Sequence, residues 1–375
     1  VLVTGGAGFV GSALVRRLVQ ESAHRVVTVD ALTYAGDLRT LEDVAEHPRH
    51  AFERVDVCDG PALERVFERH RPDAVLHLAA ESHVDRSIDA PAAFVRTNVL
   101  GTATLLDVVR DWLGSGEGQA SPVADDDEGP SDGFRFVHVS TDEVYGDLPY
   151  RDTGAGSATS FTESTPYDPH SPYAASKAAS DHFVRAWAHT YGLPVIVTHG
   201  TNTYGPWQFP EKLIPVVALR AMADEPIPLY GTGENVRDWI HVDDHASALH
   251  AVLERGIPGE TYDIGARCER TNLEVVRAVC RSLDELRPRI DGQLHEDRVE
   301  SVDDRPGHDR RYATDPSKIE RELGWRPRVE WDSGLRRTVE WMVGRRAWML
   351  ERAERSEQLR SARDATRSGD GVVPG

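Results

Sequence analysis

The chain opens with a short apolar run, Val1-Leu2-Val3-Thr4, that breaks at once into Gly5-Gly6-Ala7-Gly8-Phe9-Val10-Gly11. The next segment, Ser12-Ala13-Leu14-Val15-Arg16-Arg17-Leu18-Val19, sets Leu14, Val15, Leu18 and Val19 on one helical face. Strand, glycine turn and amphipathic helix in that order make the first unit of a dinucleotide-binding fold. The glycines at 5, 8 and 11 have a steric use: a tight turn, backbone N–H groups near a pyrophosphate, and close helix–strand contact. A glycine motif alone discriminates poorly. Here a second strand, Val26-Val27-Thr28-Val29, ends in Asp30, nineteen residues after Gly11. A carboxylate at that point bonds a ribose 2′-hydroxyl and repels a 2′-phosphate, so it favours NAD over NADP; the plainer reading is a solvated turn residue.

Strands and helices go on alternating for about two hundred residues. Residues 51–57 predict a third strand, 61–69 a helix, and Ala74-Val75-Leu76-His77-Leu78-Ala79-Ala80 a fourth strand. A long helix carrying Asn98 is predicted over 94–113, and further strands over 134–140 and 195–198. This pattern implies an α/β fold, a Rossmann-type doubly wound parallel sheet over residues 1–200. Beyond it the alternation relaxes, which predicts a smaller C-terminal substrate-binding lobe over 201–345, with some segments returning to the Rossmann sheet. Residues 331–351 predict a terminal helix, and 356–375 a frayed tail. The Gly-, Ser-, Pro- and Asp-rich stretch 114–133 predicts a disordered surface insertion, and 151–160 a loop able to act as a lid.

A formal charge of −19 argues against nucleic acid and anionic membranes as partners. There is no uninterrupted apolar run long enough to span a bilayer. Lys177, Lys212 and Lys318 are the only lysines, and the other basic residues are arginine. A GC-rich genome and adaptation to high salt both account for that balance. Cys58, Cys268 and Cys280 are odd in number and widely spaced, which predicts no disulfide framework, no metal site and a reducing cytoplasm. The start at Val1, without methionine, predicts that a residue or two precedes it; no signal peptide is visible.

The chemistry lies between residues 134 and 177. An apolar strand runs into Thr141-Asp142-Glu143-Val144-Tyr145-Gly146, so a hydroxyl and two carboxylates arrive where a parallel sheet keeps its ligand. Ser171-Pro172-Tyr173-Ala174-Ala175-Ser176-Lys177 then brings a phenol and an amine spaced i, i+4, on one helical face. A positive charge nearby lowers a phenol's pKa, making the pair a plausible proton-transfer device. Two further carboxylates let the site move more than one proton.

The glycine loop together with Tyr173-x-x-x-Lys177 resembles the signature pair of the extended short-chain dehydrogenase/reductase superfamily. Leu78-Ala79-Ala80-Glu81-Ser82-His83-Val84-Asp85-Arg86-Ser87, Ser140 to Gly146, and Phe209-Pro210-Glu211-Lys212-Leu213-Ile214-Pro215 are similar to the dTDP-glucose 4,6-dehydratase branch. The resemblance implies internal redox chemistry with NAD on a nucleotide-sugar substrate, in a homodimer supplying deoxysugars. Tyr173, helped by Lys177, would take the sugar 4-OH proton, Glu143 the C5 proton, and Asp142 would protonate the departing 6-OH; Thr141 completes the catalytic set. Cofactor contacts implied are Gly5, Gly8, Phe9, Val10, Gly11, Asp30, Asp56, Val57, Leu78, Ala79, Ala80, Asn98, Tyr173, Lys177 and Thr203. Substrate contacts implied are Ser82, Thr141, Asn202, Lys212, Leu213, Pro228, Tyr230, Arg237, Asp263, Arg305 and His308. Arg237, Arg305 and Arg310 are also able to clamp a diphosphate. Three positions depart from the family pattern: Thr203 replaces an asparagine, His199 stands where arginine is common, and Asp263 where asparagine is usual. A 4-epimerase or decarboxylase on the same fold, and a silent NAD-binding regulatory protein, are the alternatives. The epimerase and decarboxylase do not need the Asp142-Glu143 pair, and an intact Thr141, Tyr173 and Lys177 argues against the silent protein.

Overall fold

A computed structural model describes residues 1–116, 133–149 and 159–369. Most of the predicted insertion at 114–133, most of the loop at 151–160 and the last residues of the predicted tail lie outside these. Twelve strands occur among the described residues: β1 Leu2–Thr4, β2 Val26–Val29, β3 His50–Glu53, β4 Ala74–His77, β5 Arg135–Thr141, β6 Val195–Gly200, β7 Asn202–Tyr204, β8 Ile227–Tyr230, β9 Val236–His241, β10 Thr261–Ile264, β11 Glu269–Thr271 and β12 Val299–Val302.

Seven of them form one parallel sheet in the order β10-β6-β5-β4-β1-β2-β3. The strand order reverses beside β1 and β4, and it is outside the C-terminal ends at such a point that a doubly wound sheet binds ligands. The apolar residues alternate between two layers. Val3, Val26, Leu76, Val137 and Ile196 pack into one core, and Leu2, Val27, Val75, Phe136, Val195 and Val197 into the other. This period of two on fully buried strands means both sheet faces are covered by helices. Helix Phe9–Glu21 covers the first with Leu14, Val15, Leu18 and Val19, all inaccessible to solvent. Leu18→Ala is expected to cost about 2–5 kcal/mol, measured by urea unfolding; a loss below about 1 kcal/mol would mean that the cavity collapses.

The chain divides into two compact units. The first holds 1–203, 234–271 and 304–331, and the second 204–233, 272–303 and 332–375. The segments around Arg237, Asp263 and Arg305 therefore fall in the same unit as the Rossmann sheet. The relaxed alternation had placed them in the lobe, from which only some segments were expected to return to the sheet. The Asp263 segment joins that sheet, and β9, carrying Arg237, forms a separate three-stranded sheet with β7 and β11. β10 is the edge strand of that sheet, paired to β6 with Asp263 opposite His199. The second unit pairs β8 with β12 in parallel, and Trp207 contacts Trp341 and Trp348 edge-on with ring centroids 4.9 and 5.1 Å apart.

Several elements are shorter or more broken than predicted. β4 ends at His77 because Gly5 packs onto the backbone of Leu78 and Ala79, where a Cβ would meet Ala79 N at 2.7 Å. The long helix is interrupted by a π-helical turn, Val95–Leu100, followed by Gly101–Gly114. Such turns are rare and collect at functional sites. The whole helical stretch Pro91–Gly114 is the one, among the described residues, long and apolar enough by length and composition to cross a membrane. It carries Asn98, buried and polar, and packs Leu105, Leu106 and Val109 into the core. The terminal helix is two helices, Trp331–Gly344 and Arg346–Gly369, parted after a glycine.

Candidate active site

The first turn is built for a close-approaching anion. Gly5 has φ +68°, and a Cβ on Gly11 would lie 2.1 Å from Gly5 O, so neither tolerates a side chain. Helix Phe9–Glu21 begins at Gly8 with no side-chain cap, leaving its N-terminal N–H groups for a ligand. Asp30, buried at the end of β2, accepts from Ala7 N at 3.0 Å and Leu32 N at 2.8 Å. Burial raises its pKa, and those two backbone donors oppose the rise. Arg86 lies over the Tyr34 ring at 3.5 Å, close to the loop that Asp30 begins.

Other expected cofactor residues gather past the same strand ends with different duties. Ala79 N donates to Thr4 Oγ1 at 3.2 Å, and Leu78 N to Thr4 O at 3.1 Å; Ala80 is exposed beyond them. Asp56 is exposed and accepts from Cys58 N, whereas Val57 is buried. Asn98, taken as a cofactor contact, has its amide engaged inside the protein: Oδ1 accepts from Glu81 N at 2.8 Å, and Nδ2 donates to Glu81 O and Ser176 Oγ. The π turn brings this amide inward, where it ties the loop after β4 to the helix carrying Tyr173. Thr203 Oγ1 is 2.8 Å from His245 Nδ1 and 3.1 Å from Thr201 O.

At the end of β5, Thr141 caps a single turn, Asp142–Tyr145, with Glu143 N donating to Thr141 Oγ1 at 3.3 Å. Asp142 is buried and receives Thr314 Oγ1 at 3.2 Å. Burial, reinforced by Glu143 and Asp238, pushes its pKa up to about 7, against hydrogen bonds from Thr201 and Thr314. Thr201, Thr314 and Asp238 were not legible as site residues, because they come from distant segments with no motif. Helix Pro172–Tyr191 starts at Ser171, whose hydroxyl accepts from Ala174 N. It delivers Tyr173 and Lys177 one turn apart. Lys177 Nζ donates to Val139 O at 2.8 Å, and burial draws its pKa down to about 8, with Asp181 resisting. The phenol of Tyr173 is not acidified as the sequence suggested. Burial and the Glu143 carboxylate raise its pKa, outweighing the Thr141 hydroxyl. The physical reason is local: the phenol is buried, the Glu143 carboxylate adds to that, and the Lys177 ammonium donates to Val139 O.

A basic cluster forms in the same unit. Arg237 is buried over the Tyr312 ring at 4.1 Å and is held by Val236 O and Asp309 O. Arg305 lies 3.5 Å from Asp85. Burial, then Arg305 and Arg237, lowers the pKa of His308 to about 4, so the three groups are close together. Arg310 is exposed, and Ser82 is exposed in the loop after β4. Asn202 is half-buried in β7. Lys212, Leu213, Pro228 and Tyr230 lie in the second unit, with Leu213 opening helix Leu213–Met222 and Pro228 and Tyr230 in β8.

Residues 2–338 match the family described as GDP-mannose 4,6 dehydratase. The dTDP-glucose 4,6-dehydratase of Salmonella typhimurium is 52% identical over 352 residues, 93% of this chain and 94% of that one. The chain belongs to the dTDP-glucose 4,6-dehydratase family. Among solved structures, the dTDP-glucose 4,6-dehydratase of Streptomyces venezuelae, with NAD and TDP bound, is 44% identical, covers 92% of this chain and 98% of its own, and superposes with a TM-score of 0.80. A UDP-glucose 4-epimerase from Thermus thermophilus, in complex with NAD, reaches 31% identity and a TM-score of 0.75 over 92% and 98% of the two chains.

Two of the departures from the dTDP-glucose 4,6-dehydratase pattern are now accounted for together. Asp263, taken as a substrate contact, is fully buried, and its Oδ1 lies 3.0 Å from His199 Nδ1. A carboxylate on β10 opposite His199 of β6 points into the sheet layer, so it exerts no repulsion on a diphosphate as an exposed acid would. In this member of the dTDP-glucose 4,6-dehydratase family the unfamiliar residues are partners of each other. Among the described residues, one further group has metal-ligand composition: His24, His250 and Glu254, with His24 Nε2 and Glu254 Oε1 paired at 2.6 Å. It lies at the strand-entry side, away from Tyr173.

Proposed function

We infer that the chain dehydrates dTDP-glucose to dTDP-4-keto-6-deoxyglucose with NAD retained through turnover. The observation that carries this reading is the pair at the end of β5, where Asp142 is held as an acid near neutral pH beside Glu143. Dehydration needs one proton taken from C5 and another given to the leaving 6-hydroxyl, hence one carboxylate of each kind. Epimerisation needs neither. The uncapped helix at Gly8, the steric demand at Gly5 and Gly11, and buried Asp30 suit a dinucleotide without a 2′-phosphate. When bound, NAD would supply the redox chemistry, hydride removal at C4 and its return at C6, so that no external reductant would be needed.

In this reading Tyr173 takes the 4-OH proton, assisted by Thr141 and Lys177. Its raised pKa means that the Lys177 ammonium and, once bound, the positive nicotinamide ring would have to favour the phenolate for Tyr173 to act as a base. Glu143 removes the C5 proton and Asp142 protonates the 6-hydroxyl as water leaves. Arg237 and Arg305 suit the diphosphate. Val95, Leu100, Phe183 and Tyr191, exposed on the helices of residues 95–114 and 172–191, suit a homodimer. Three cysteines outside any disulfide and an acidic composition suit the cytoplasm.

Purified protein given dTDP-glucose without added NAD is expected to form a 4-keto product, detected by its absorbance in alkali. The same reaction with the UDP, CDP and GDP sugars is expected to be slower. Accumulation of the C4 epimer alone would establish the epimerase reading, and cofactor binding without turnover the silent one.

A further inference from the structure

Beneath the catalytic helix runs a buried polar layer that the proposed reaction does not use. His199 on β6 lies between two carboxylates, with Nε2 3.2 Å from Asp181 Oδ2 and Nδ1 3.0 Å from Asp263 Oδ1. All three side chains are wholly inaccessible to solvent. Tyr167 OH reaches His199 Nε2 at 2.8 Å and Asp181 Oδ2 at 2.9 Å, while Tyr145 OH reaches Nδ1 at 2.7 Å and Asp263 Oδ1 at 2.9 Å. A neutral imidazole has one N–H and can donate to only one of the two acids, whereas an imidazolium donates to both. Burial works against that charge, but the two carboxylates more than offset it and hold the ring's pKa up at about 9.

Asp181 stands one helical turn after Lys177. It also receives Ser140 Oγ at 2.9 Å, and His138 Nε2 lies 3.0 Å from its other oxygen. Burial and the Lys177 charge keep His138 neutral, with its pKa lowered to about 4. The layer thus sets the acidic side chains Asp181 and Asp263 against the basic side chains His199 and Lys177. Glu163 adds to the negative side from the loop before Ser171, its Oε1 accepting from Asp263 N at 3.0 Å, and Lys318 opposes it. Asp142, Glu143 and Tyr173 face the layer from the turn after β5 and from the catalytic helix, and Arg185 faces Tyr167.

We propose that His199 is a positioning residue: as an imidazolium clasped by Asp181 and Asp263, it balances the charge around Lys177 and thereby sets the proton affinity of the Tyr173–Lys177 pair. In a dry interior, removing one member of such a set leaves an uncompensated charge that neighbouring titratable groups must answer. The two departures His199 and Asp263 thus act as one electrostatic unit inside the sheet layer. This inference rests on Tyr173 and Lys177 being the proton-transfer pair.

Three lysines make the test direct. With ¹³Cε-lysine labelling of the full chain, Lys177→Arg assigns one of three NMR resonances, and its titration is followed with no need for turnover. His199→Gln is expected to raise the proton affinity of Lys177 about tenfold, one pKa unit. His199→Gln with Asp263→Asn restores the balance and returns the midpoint close to that of the parent. His199→Arg keeps it there and carries the charge unchanged into alkali. The acid limb of dTDP-glucose turnover is expected to move upward in His199→Gln, because a more negative layer makes Tyr173 harder to ionise. Should His199→Gln not fold, His199→Arg with Asp263→Asn, one charge more positive than the parent, is expected to lower the Lys177 midpoint. An unmoved Lys177 midpoint in folded variants would reduce the layer to packing and overturn the proposal. A parent protein that fails to turn over dTDP-glucose while Lys177 shifts as stated would remove the proposed function and leave the electrostatic role standing.

Discussion

Tyr173→Phe is expected to lower the dehydration rate by about 10²–10⁴-fold, the range for losing a positioned proton-transfer group, while leaving the circular dichroism spectrum unchanged. The substitution removes one oxygen and keeps the ring that Phe94 meets edge-on at 6.3 Å. The fold therefore has no cavity to answer for, and the loss reads the proton transfer alone. Without the hydroxyl, the group that the proposed function assigns to the 4-OH proton is gone. Lys177 donates to Val139 O and remains mostly charged at neutral pH, its pKa being lowered to about 8. Retention of activity within about tenfold of the parent would move the base role to another residue.

Asp142→Asn and Glu143→Gln are each expected to slow dehydration by about 10²–10⁴-fold, but to divide under solvent deuterium. With Glu143→Gln no deuterium is expected at C5 of recovered substrate, because the base is gone. With Asp142→Asn exchange at C5 is expected to continue while water loss stalls, since the base remains and the acid does not. The opposite pattern would interchange the two roles. The pH dependence has a defined sign. Asp142 donates only while protonated, so the rate is expected to fall as pH rises through about 7, and Asp142→Asn is expected to flatten that limb. For stability, the folded state binds this proton more tightly than the unfolded chain, whose carboxyl has a pKa near 3.8. Its contribution is present at low pH and is lost as pH climbs from about 4 to about 7, readable by urea unfolding across that window.

The strand–glycine–helix opening, the acid closing β2 and the Tyr-x-x-x-Lys helix were legible because each is a local rule. A turn that admits no Cβ, a period of two or 3.6, and an i, i+4 spacing all act within about twenty residues. The positions of β10 and of Arg237 and Arg305 were not legible in the same way. Short strands between loops look alike whether they join the main sheet or a second unit; pairing with β6 decides it for β10, and pairing with β7 and β11 for the strand of Arg237. Asn98 was expected as a cofactor contact from its motif; its engagement with Glu81 and Ser176 comes from segments 17 and 78 residues away and was not legible in the sequence.

By itself the amino-acid order determined the Rossmann scaffold, the family and the identities of the phenol, the amine and the two acids. Tertiary structure alone decided their states of charge. Asp142 is an acid because the protein interior, Glu143 and Asp238 surround it and outweigh the hydrogen bonds from Thr201 and Thr314, and His199 is a cation because Asp181 and Asp263 meet it from two other elements. Desolvation and Coulomb interaction depend on distance in space, and partners as far apart in the chain as Asp142 and Thr314 leave no trace in the order of the residues between them.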